Sequence, residues 1–253
     1  MGPMLKTLGV VDACFTSTGS MMGACRRLGG KPALEWIIRK MTDCQQLDGV
    51  LVVTNDAAHN RIIERLVPLD IPVFMTNETQ DALDRLVDIL EEYPTKALVR
   101  VCCDYPFLDP VLVDRLVTDA EVHSECDYVT YCLRDGRPAV LSSLGLYVEW
   151  FRADALRRAS REARYPEHRE DASYYLRSHP EAFTLRMLPA PPVFDRPDMC
   201  LSLASEDDWE QMLTIFEVLG PDGLEWQRIA DLLDRHPTLR DPVAAMDSLS
   251  TKD

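Results

Sequence analysis

Ser17, Thr18 and Gly19 form a short polar run whose residue types suit the binding of a phosphate group. Thr16 precedes this run and Gly23 lies four residues after it. Backbone N–H groups in such a loop can donate hydrogen bonds to phosphate oxygens. A loop of glycine and serine can also be a plain connector, so both interpretations stay open at this point.

The thiols are the second set of side chains that could do chemistry. Cysteine occurs at positions 14, 25, 44, 102, 103, 126, 132 and 200. A zinc site formed by Cys14, Cys25, Cys103 and Cys200 is conceivable, but the paired spacing typical of zinc ligands is absent. A chain of 253 residues does not need disulfides for stability. We interpret the cysteines as reduced thiols that pack as small hydrophobic residues.

The composition limits the class of partner. Asp and Glu total 42 against 27 Lys and Arg, which gives a formal charge of -15. Such a field repels a nucleic-acid backbone, so we expect no nucleic-acid partner. A nucleotide can still bind, because local donors or a divalent cation can reverse the potential inside one cleft. Residues 1–7 lack the features of a signal peptide and no segment reaches about 18 consecutive apolar residues, so we expect a cytoplasmic protein that does not span a membrane.

Strand and helix patterns alternate over the first half of the chain, and this order predicts the fold. Short apolar runs indicate buried strands, and apolar residues at a spacing of three or four indicate helices. The expected fold is α/β, a doubly wound and mostly parallel sheet whose ligands bind beyond the carboxyl ends of the strands. The loop at 13–31 and Asp104 should lie at that edge. The predicted strands are 8–13, 49–54, 71–75, 97–102 and 127–132, and the predicted helices are 32–41, 59–67, 81–92 and 110–120, the last capped by Asp109.

The second half of the chain is less regular. We expect residues 134–190 to form an inserted lid or dimerisation arm, with a strand at 144–151 and helices at 154–164 and 169–178. Prolines between 189 and 197 indicate an extended connector. A strand at 201–203, a helix at 206–219 capped by Ser205, a helix at 225–235 and a polar tail at 240–253 complete what we expect to be a single domain, residues 1–253.

Aromatic and apolar residues in the expected arm predict a homodimer. An isolated arm could not bury this many large side chains within itself, and aromatic residues are frequent in interface cores. The residues concerned are Tyr165, Tyr174, Tyr175, Leu176 and Phe183.

Residues 99–110 carry the most specific resemblance to a known family. They read V-R-V-C-C-D-Y-P-F-L-D-P and resemble the motif V-R-I-T-G-D-C-P-L-I-D-P of the cytidylyltransferases of acidic-sugar and spore-coat polysaccharide biosynthesis, relatives of the enzymes that activate sialic acids and KDO. Weaker matches lie before it at 28–32 and 81–85 and after it at 145–149, 169–171 and 201–208, in the same order as in the family. The resemblance implies a fold like that of the nucleotide-diphospho-sugar transferases.

The resemblance also implies an activity. In that family a sugar oxygen attacks the α-phosphate of CTP, pyrophosphate leaves, and Mg²⁺ assists. Asp104 falls on the family's metal-binding aspartate and is the implied catalytic residue. The implied nucleotide contacts are Thr16, Ser17, Thr18, Gly19, Asp84 and Arg85, and the implied sugar contacts are Glu149 and Arg169. Each has a structural alternative, since Asp104 can be a turn residue, Asp84 can cap a helix, and Glu149 and Arg169 can form surface ion pairs.

The chain departs from the resembling family where that family binds phosphate and metal. Cys14 and Gly19 occupy arginine positions, Gly23 a lysine position, and Ala204 the position of a second metal-binding aspartate. Losing one charge-assisted phosphate contact costs about 1.5 to 3 kcal/mol. We therefore carry two hypotheses: a slow cytidylyltransferase, and a relative that binds a nucleotide, a sugar or a protein partner without turnover.

Arg26 and Arg27 are the nearby cations in sequence that could replace the missing ones. Arg26 is accordingly a candidate nucleotide contact. Paired arginines near a helix start are also commonly solvated surface residues, and that interpretation stays open as well.

Overall fold

Strands and helices alternate along the chain in the computed structural model, which describes residues 4–142, 146–193, 201–203 and 205–236. The strands are β1 (Leu5–Asp12), β2 (Arg27–Leu28), β3 (Lys31–Pro32), β4 (Gly49–Asn55), β5 (Val73–Thr76), β6 (Thr95–Cys102), β7 (Tyr128–Cys132), β8 (Val148–Arg152) and β9 (Leu185–Pro189). The α-helices are α1 (Thr18–Cys25), α2 (Ala33–Thr42), α3 (Ile63–Leu66), α4 (Ala82–Glu92), α5 (Pro110–Val122), α6 (Ala153–Glu162), α7 (Glu167–Glu170), α8 (Tyr174–Ser178), α9 (Glu206–Leu219) and α10 (Trp226–Arg235).

One seven-stranded sheet has the order β5-β4-β1-β6-β8-β7-β9. β8 is antiparallel to β6 and β7, and the other pairings in this sheet are parallel. Side chains of the central strands alternate between two hydrophobic cores, as Val10 and Val11 of β1 do. One core includes residues of α2, α5 and α10, and the other includes residues of α4 and α6. The expected doubly wound, mostly parallel α/β fold is confirmed.

Two helix starts follow the predicted caps. The carboxylate of Asp109 accepts a hydrogen bond from the Val111 N–H at 2.9 Å at the start of α5. Ser205 and Asp208 form a reciprocal capping box at the start of α9. Each cap gives a partner to an N–H group that the helix itself leaves unpaired.

The structure corrects the expectation that residues 13–31 form a loop throughout. This segment contains α1 and a small antiparallel ribbon of β2 and β3. Ser17 caps α1 by accepting a hydrogen bond from the Ser20 N–H at 3.2 Å. The sequence of α1, T-G-S-M-M-G-A-C, carries two glycines and no apolar stripe, so periodicity does not reveal it.

Two strands of the expected lid or arm at 134–190, β8 and β9, belong to the main sheet. β8 lies between β6 and β7, and β9 pairs with β7 at the sheet edge. Pro189 ends β9, where an edge position tolerates the missing N–H group. Tyr175, Leu176 and Phe183 are buried within the chain itself, whereas Tyr165 and Tyr174 are 62% and 40% exposed. The dimer thus stays a prediction that loses part of its original support.

Two other predicted elements differ. The expected helix at 169–178 is broken between α7 and α8, because Asp171 Oδ1 accepts hydrogen bonds from both the N–H and the hydroxyl of Ser173 at 3.0 Å. Residues 201–203 do not form a strand. The expected connector at Pro197, Cys200, Ala204 and the tail at 240–253 lie outside the described residues. Among the helices that the structure describes, none combines the length and the apolar character needed to cross a membrane.

Candidate functional site

A cleft of about 880 Å³ lies at the edge of the sheet where β1, β4 and β6 end. Asp12, Asn55 and Cys102 are the last residues of these strands, and all three line the cleft. The amino end of α4 and the loop after β1 form further walls. This is the edge at which doubly wound sheets bind ligands. A smaller cavity of about 380 Å³ beside Trp36 contains none of the predicted site residues.

Asp12, Arg100 and Glu149 form a buried ionic network at the base of the cleft. Arg100 Nε and Nη2 each lie 2.9 Å from Asp12 Oδ2, and Arg100 Nη1 lies 3.1 Å from Glu149 Oε2. The Tyr128 hydroxyl donates to Glu149 Oε1 at 2.6 Å. The register of the sheet creates this network, because Arg100 on β6 pairs directly with Glu149 on β8 while β1 lies on the other side of β6.

The network holds its charges in place. Burial alone raises the pKa of the Asp12 carboxyl, but the charges of Arg100 and Arg85 and a hydrogen bond from the Cys14 N–H bring that pKa below its usual value. Asp12 therefore stays ionised and neutralises Arg100. Glu149 has no exposed surface, and its carboxylate binds Arg100 and Tyr128. Its contact with a sugar stays a prediction that this burial does not support.

Arg85 is a cation of the cleft wall with unused hydrogen-bonding capacity. The residue is 8% exposed, its Nη2 lies 3.7 Å from Asp12 Oδ2, and its Nη1 donates to the Gln80 carbonyl at 3.3 Å. Its Nε has no hydrogen-bond partner among the described residues. Buried donors are normally paired, and a guanidinium carries five N–H groups. Arg85, one of the nucleotide contacts that the resemblance implies, is thus a buried cation in the cleft wall with an unpaired donor among the described residues.

Asp84 and Arg169 bind each other outside the cleft wall. Arg169 Nη2 lies 2.5 Å from Asp84 Oδ1, its Nε donates to Asp81 Oδ2 at 2.7 Å, and its Nη1 donates to the carbonyls of Ser160 and Ala163 at 2.9 and 3.1 Å. The helix cap is Asp81, whose side chain accepts from the Asp84 N–H. Arg169 therefore ties α6 and α7 to the start of α4. Its contact with a sugar stays a prediction that these partners do not support.

The loop after β1 reaches the cleft at fewer positions than the sequence suggests. Thr16 and Ser20 line it, while Ser17, Thr18 and Gly19 lie beside it as the exposed cap and first turn of α1. The hydroxyl of Ser17 is already bonded to Ser20.

Arg26 and Arg27 do not replace the missing cations. Arg26 forms an ion pair with Glu206 and lies over the ring of Trp209, 5.2 Å from its centroid. Arg27 donates to the carbonyl of Gly30. Neither arginine lines the cleft, and the assignment of Arg26 to the nucleotide stays a prediction that its position does not support.

Gly23 lies so close to Leu203 that a side chain at position 23 would crowd this contact. A Cβ atom at position 23 would come within 3.1 Å of Leu203 Cβ and 3.2 Å of the Leu203 carbonyl oxygen. The lysine that the resembling family has at this position could enter only if this contact moved apart.

Cys102, Cys103 and Asp104 bring two sulfur atoms and a carboxylate together at the end of β6. Their ligand atoms all lie within 4.8 Å of one another, and the Cys102 thiol donates to Asp104 Oδ2 at 3.3 Å. Burial raises the pKa of the Asp104 carboxyl; the thiol hydrogen bond opposes this and the charge of Asp12 adds to it. Asp104 was predicted from the sequence as a metal ligand and Cys103 as one of four conceivable zinc ligands, but their combination with Cys102 was not predicted, although two adjacent cysteines directly before an aspartate are a visible signal.

The zinc site considered from the four scattered cysteines is not formed in the described part of the chain. The cluster of three potential metal ligands found there does not include Cys14 or Cys25. Cys200 lies outside the described residues.

Comparisons with known proteins agree with the fold. Residues 19–181 match the family of MobA-like NTP transferase domains. The spore coat polysaccharide biosynthesis protein SpsF of Bacillus subtilis is 26% identical over 242 residues, which cover 92% of this chain and 96% of that protein. A cytidylyltransferase of Leptospira borgpetersenii superposes with a TM-score of 0.80 at 16% identity, covering 94% and 96% of the two chains. A CMP:2-keto-3-deoxy-manno-octonic acid synthetase complexed with CTP superposes with a TM-score of 0.63 at 14% identity, covering 84% of this chain and 99% of that one.

Proposed function

The chain belongs to the family of MobA-like NTP transferase domains, and we propose that its cleft binds CTP and a sugar in the manner of a cytidylyltransferase, with slow cytidylyl transfer. The similarity to SpsF supports a sugar of polysaccharide biosynthesis. The fold shared with a synthetase complexed with CTP supports CTP as the nucleotide. A cytoplasmic location is part of the proposal, because the described cysteines form no disulfides and thiols persist in a reducing compartment.

One observation carries the nucleotide proposal: Arg85 lines the cleft and is buried, with an Nε that lacks a partner among the described residues. Arg100 is more tightly bound to Asp12 and Glu149, so less of its charge is available. Arg85 is therefore the group that we assign to a phosphate of CTP. A charge-assisted contact of this kind contributes about 1.5 to 3 kcal/mol.

The cluster at the end of β6 is by itself a poor site for the magnesium ion that the resemblance implies. Asp104 offers one carboxylate, and its neighbours Cys102 and Cys103 offer sulfur, whereas Mg²⁺ requires oxygen ligands in near-octahedral geometry. Position 204 is alanine, which has no ligand atom. We propose that magnesium enters as the counterion of CTP, and no protein-bound magnesium is part of the mechanism.

Slow transfer follows from the missing cations. Removing one electrostatic donor from a transition state typically lowers the rate by about 10²- to 10³-fold. Three positions that carry cations in the resembling family carry none here, Arg26 and Arg27 are engaged elsewhere, and a side chain at position 23 would crowd Leu203. These same observations favour a second candidate function, binding of the nucleotide without turnover.

Thermal melting with nucleotides tests the binding proposal. CTP at about 100 times its dissociation constant should stabilise the fold by about 2.7 kcal/mol, which raises the Tm by about 5 to 10 °C for a chain of this size. UTP, ATP and GTP should stabilise it less. The absence of any shift with all four nucleotides would overturn the proposal.

Pyrophosphate release with CTP and a panel of acidic sugars separates the two candidate functions. Slow transfer predicts a rate below the common enzyme range of about 1 to 10³ per second. Binding with no detectable pyrophosphate favours the second candidate, and a rate within that range contradicts both.

A further inference from the structure

We propose that Cys102, Cys103 and Asp104 form a binding site for a thiophilic divalent metal ion, Zn²⁺ or an ion of similar chemistry, that faces the cleft. This inference rests on the geometry of these three residues and is independent of the proposed function.

The three ligand atoms are close to the spacing that such an ion needs. Zn–S bonds of about 2.3 Å and Zn–O bonds of about 2.0 to 2.2 Å in tetrahedral geometry place ligand atoms about 3.4 to 3.8 Å apart. The atoms here lie within 4.8 Å of one another, and the Cys102 Sγ to Asp104 Oδ2 distance is already 3.3 Å. The ligand atoms need to approach one another by at most about 1.4 Å to reach this spacing.

The backbone around the cluster is held on both sides. β6 lies in the interior of the sheet between β1 and β8, and Cys102 pairs with Asp12 at the end of that ladder. The Asp104 carbonyl accepts a hydrogen bond from the Leu203 N–H at 2.9 Å. A fixed turn reduces the ordering cost of metal binding, since the ligands are already placed.

The donor set selects the class of ion. Two thiolates favour Zn²⁺ and other soft or borderline ions over Mg²⁺ and Ca²⁺. Three protein ligands leave one tetrahedral position open to water or a bound ligand, as in catalytic rather than structural zinc sites. All three residues line the cleft, in contrast to Cys44 and Cys126, which are buried and lie outside it.

Cobalt titration of the reduced, metal-free full-length chain tests the site directly. One Co²⁺ per chain should bind with a thiolate-to-cobalt charge-transfer band, Zn²⁺ should displace it, and excess Mg²⁺ should not. Mutating a residue that contacts a metal ligand but not the metal typically lowers metal affinity by about 10- to 100-fold. Cys102→Ser and Cys103→Ser should each lower the affinity for Co²⁺ by more than this and should weaken the charge-transfer band. Asp104→Asn should weaken binding but keep a thiolate band. Cys25→Ser removes a half-buried thiol outside the cleft, so it should change neither the affinity for Co²⁺ nor the charge-transfer band.

Two results would overturn the inference. One is the absence of a thiolate band in the unaltered chain, or a band that persists unchanged in both Cys102→Ser and Cys103→Ser. The other is a Cys102–Cys103 disulfide found by mass spectrometry in freshly isolated protein. Cys103 is buried and Cys102 is half-buried. If the Cys103→Ser variant does not fold, the band of the Cys102→Ser variant alone tests the inference, and an unchanged band overturns it. Calorimetry of CTP with the metal-free chain is a separate measurement, so failure of the metal site leaves the nucleotide proposal standing.

Discussion

Replacing Arg85 by glutamine isolates the cation that we assign to CTP. The substitution removes the positive charge and the Nε donor, which lacks a partner among the described residues, and it keeps a polar side chain of similar reach. Asp12 loses a neighbour at 3.7 Å but keeps both Arg100 contacts at 2.9 Å. The fold should therefore survive, and the effect should fall on ligand binding.

The expected magnitude follows from the value of one charge-assisted hydrogen bond. A loss of about 1.5 to 3 kcal/mol corresponds to an increase of about 10- to 150-fold in the Kd for CTP. Isothermal titration calorimetry at constant salt measures this change. The Kd of the Arg85→Lys variant for CTP should lie between those of the unaltered chain and of Arg85→Gln, because an ammonium keeps the charge but not the planar arrangement of donors.

Arg26→Gln is the matched control, because it removes the same charge from an arginine paired with Glu206 outside the cleft. Its partly exposed ion pair contributes at most about 1 kcal/mol to stability, and its Kd for CTP should equal that of the unaltered chain. Equal affinities for CTP in the unaltered chain and in Arg85→Gln would refute the reasoning and make Arg85 only a counterion of Asp12.

Three further predictions concern stability, the missing lysine and assembly. Burial raises the pKa of Asp127, but the Thr184 N–H and the guanidiniums of Arg152 and Arg158 bring it below its usual value. The stability from this carboxylate is therefore present above the unfolded pKa of about 4 and is lost as the pH falls through the lower folded pKa. Asp127→Asn should lower the free energy of unfolding in urea by about 1.5 to 3 kcal/mol at pH 7 and should make that free energy fall less steeply at acid pH. An equally steep fall at acid pH in both proteins would contradict this. Gly23→Lys should destabilise the fold by about 1 to 3 kcal/mol and leave pyrophosphate release unchanged, so a faster release would contradict the packing argument. Light scattering should show a particle of twice 28.7 kDa, and 28.7 kDa at all concentrations would exclude the homodimer.

The sheet could be predicted because most of its strands have a recognisable local sequence pattern. Strands such as β1 and β4 are buried on both faces and read as continuous apolar runs between helical patterns. α1 and β9 could not be read in this way. α1 has no apolar stripe, and β9 is an edge strand whose burial is partial and whose last residue is a proline.

The site was harder to predict because it depends on register. Positions 12, 100 and 149 come from three strands that only the folded sheet brings together. A signal was nevertheless present, since Asp12, Arg100 and Glu149 are charged residues directly beside runs of apolar residues in their strands. Charged residues are rarely fully buried unless they are paired, so opposite charges in neighbouring buried strands indicate a network rather than contacts with a ligand.

The charge of the cleft connects the two proposals. Five carboxylates line it, those of Asp12, Glu78, Asp81, Asp104 and Glu170, against the guanidiniums of Arg85 and Arg100. Arg100 is neutralised by its own network, so the wall opposes a triphosphate unless positive charge is brought in. A metal ion at the thiol cluster and a counterion carried by CTP are the two sources available. The resembling family holds three cations in its loop, whereas this cleft depends on cations that arrive with its ligands. Such a cleft is poorly preorganised for phosphoryl transfer. We therefore expect it to bind a nucleotide but to catalyse transfer slowly.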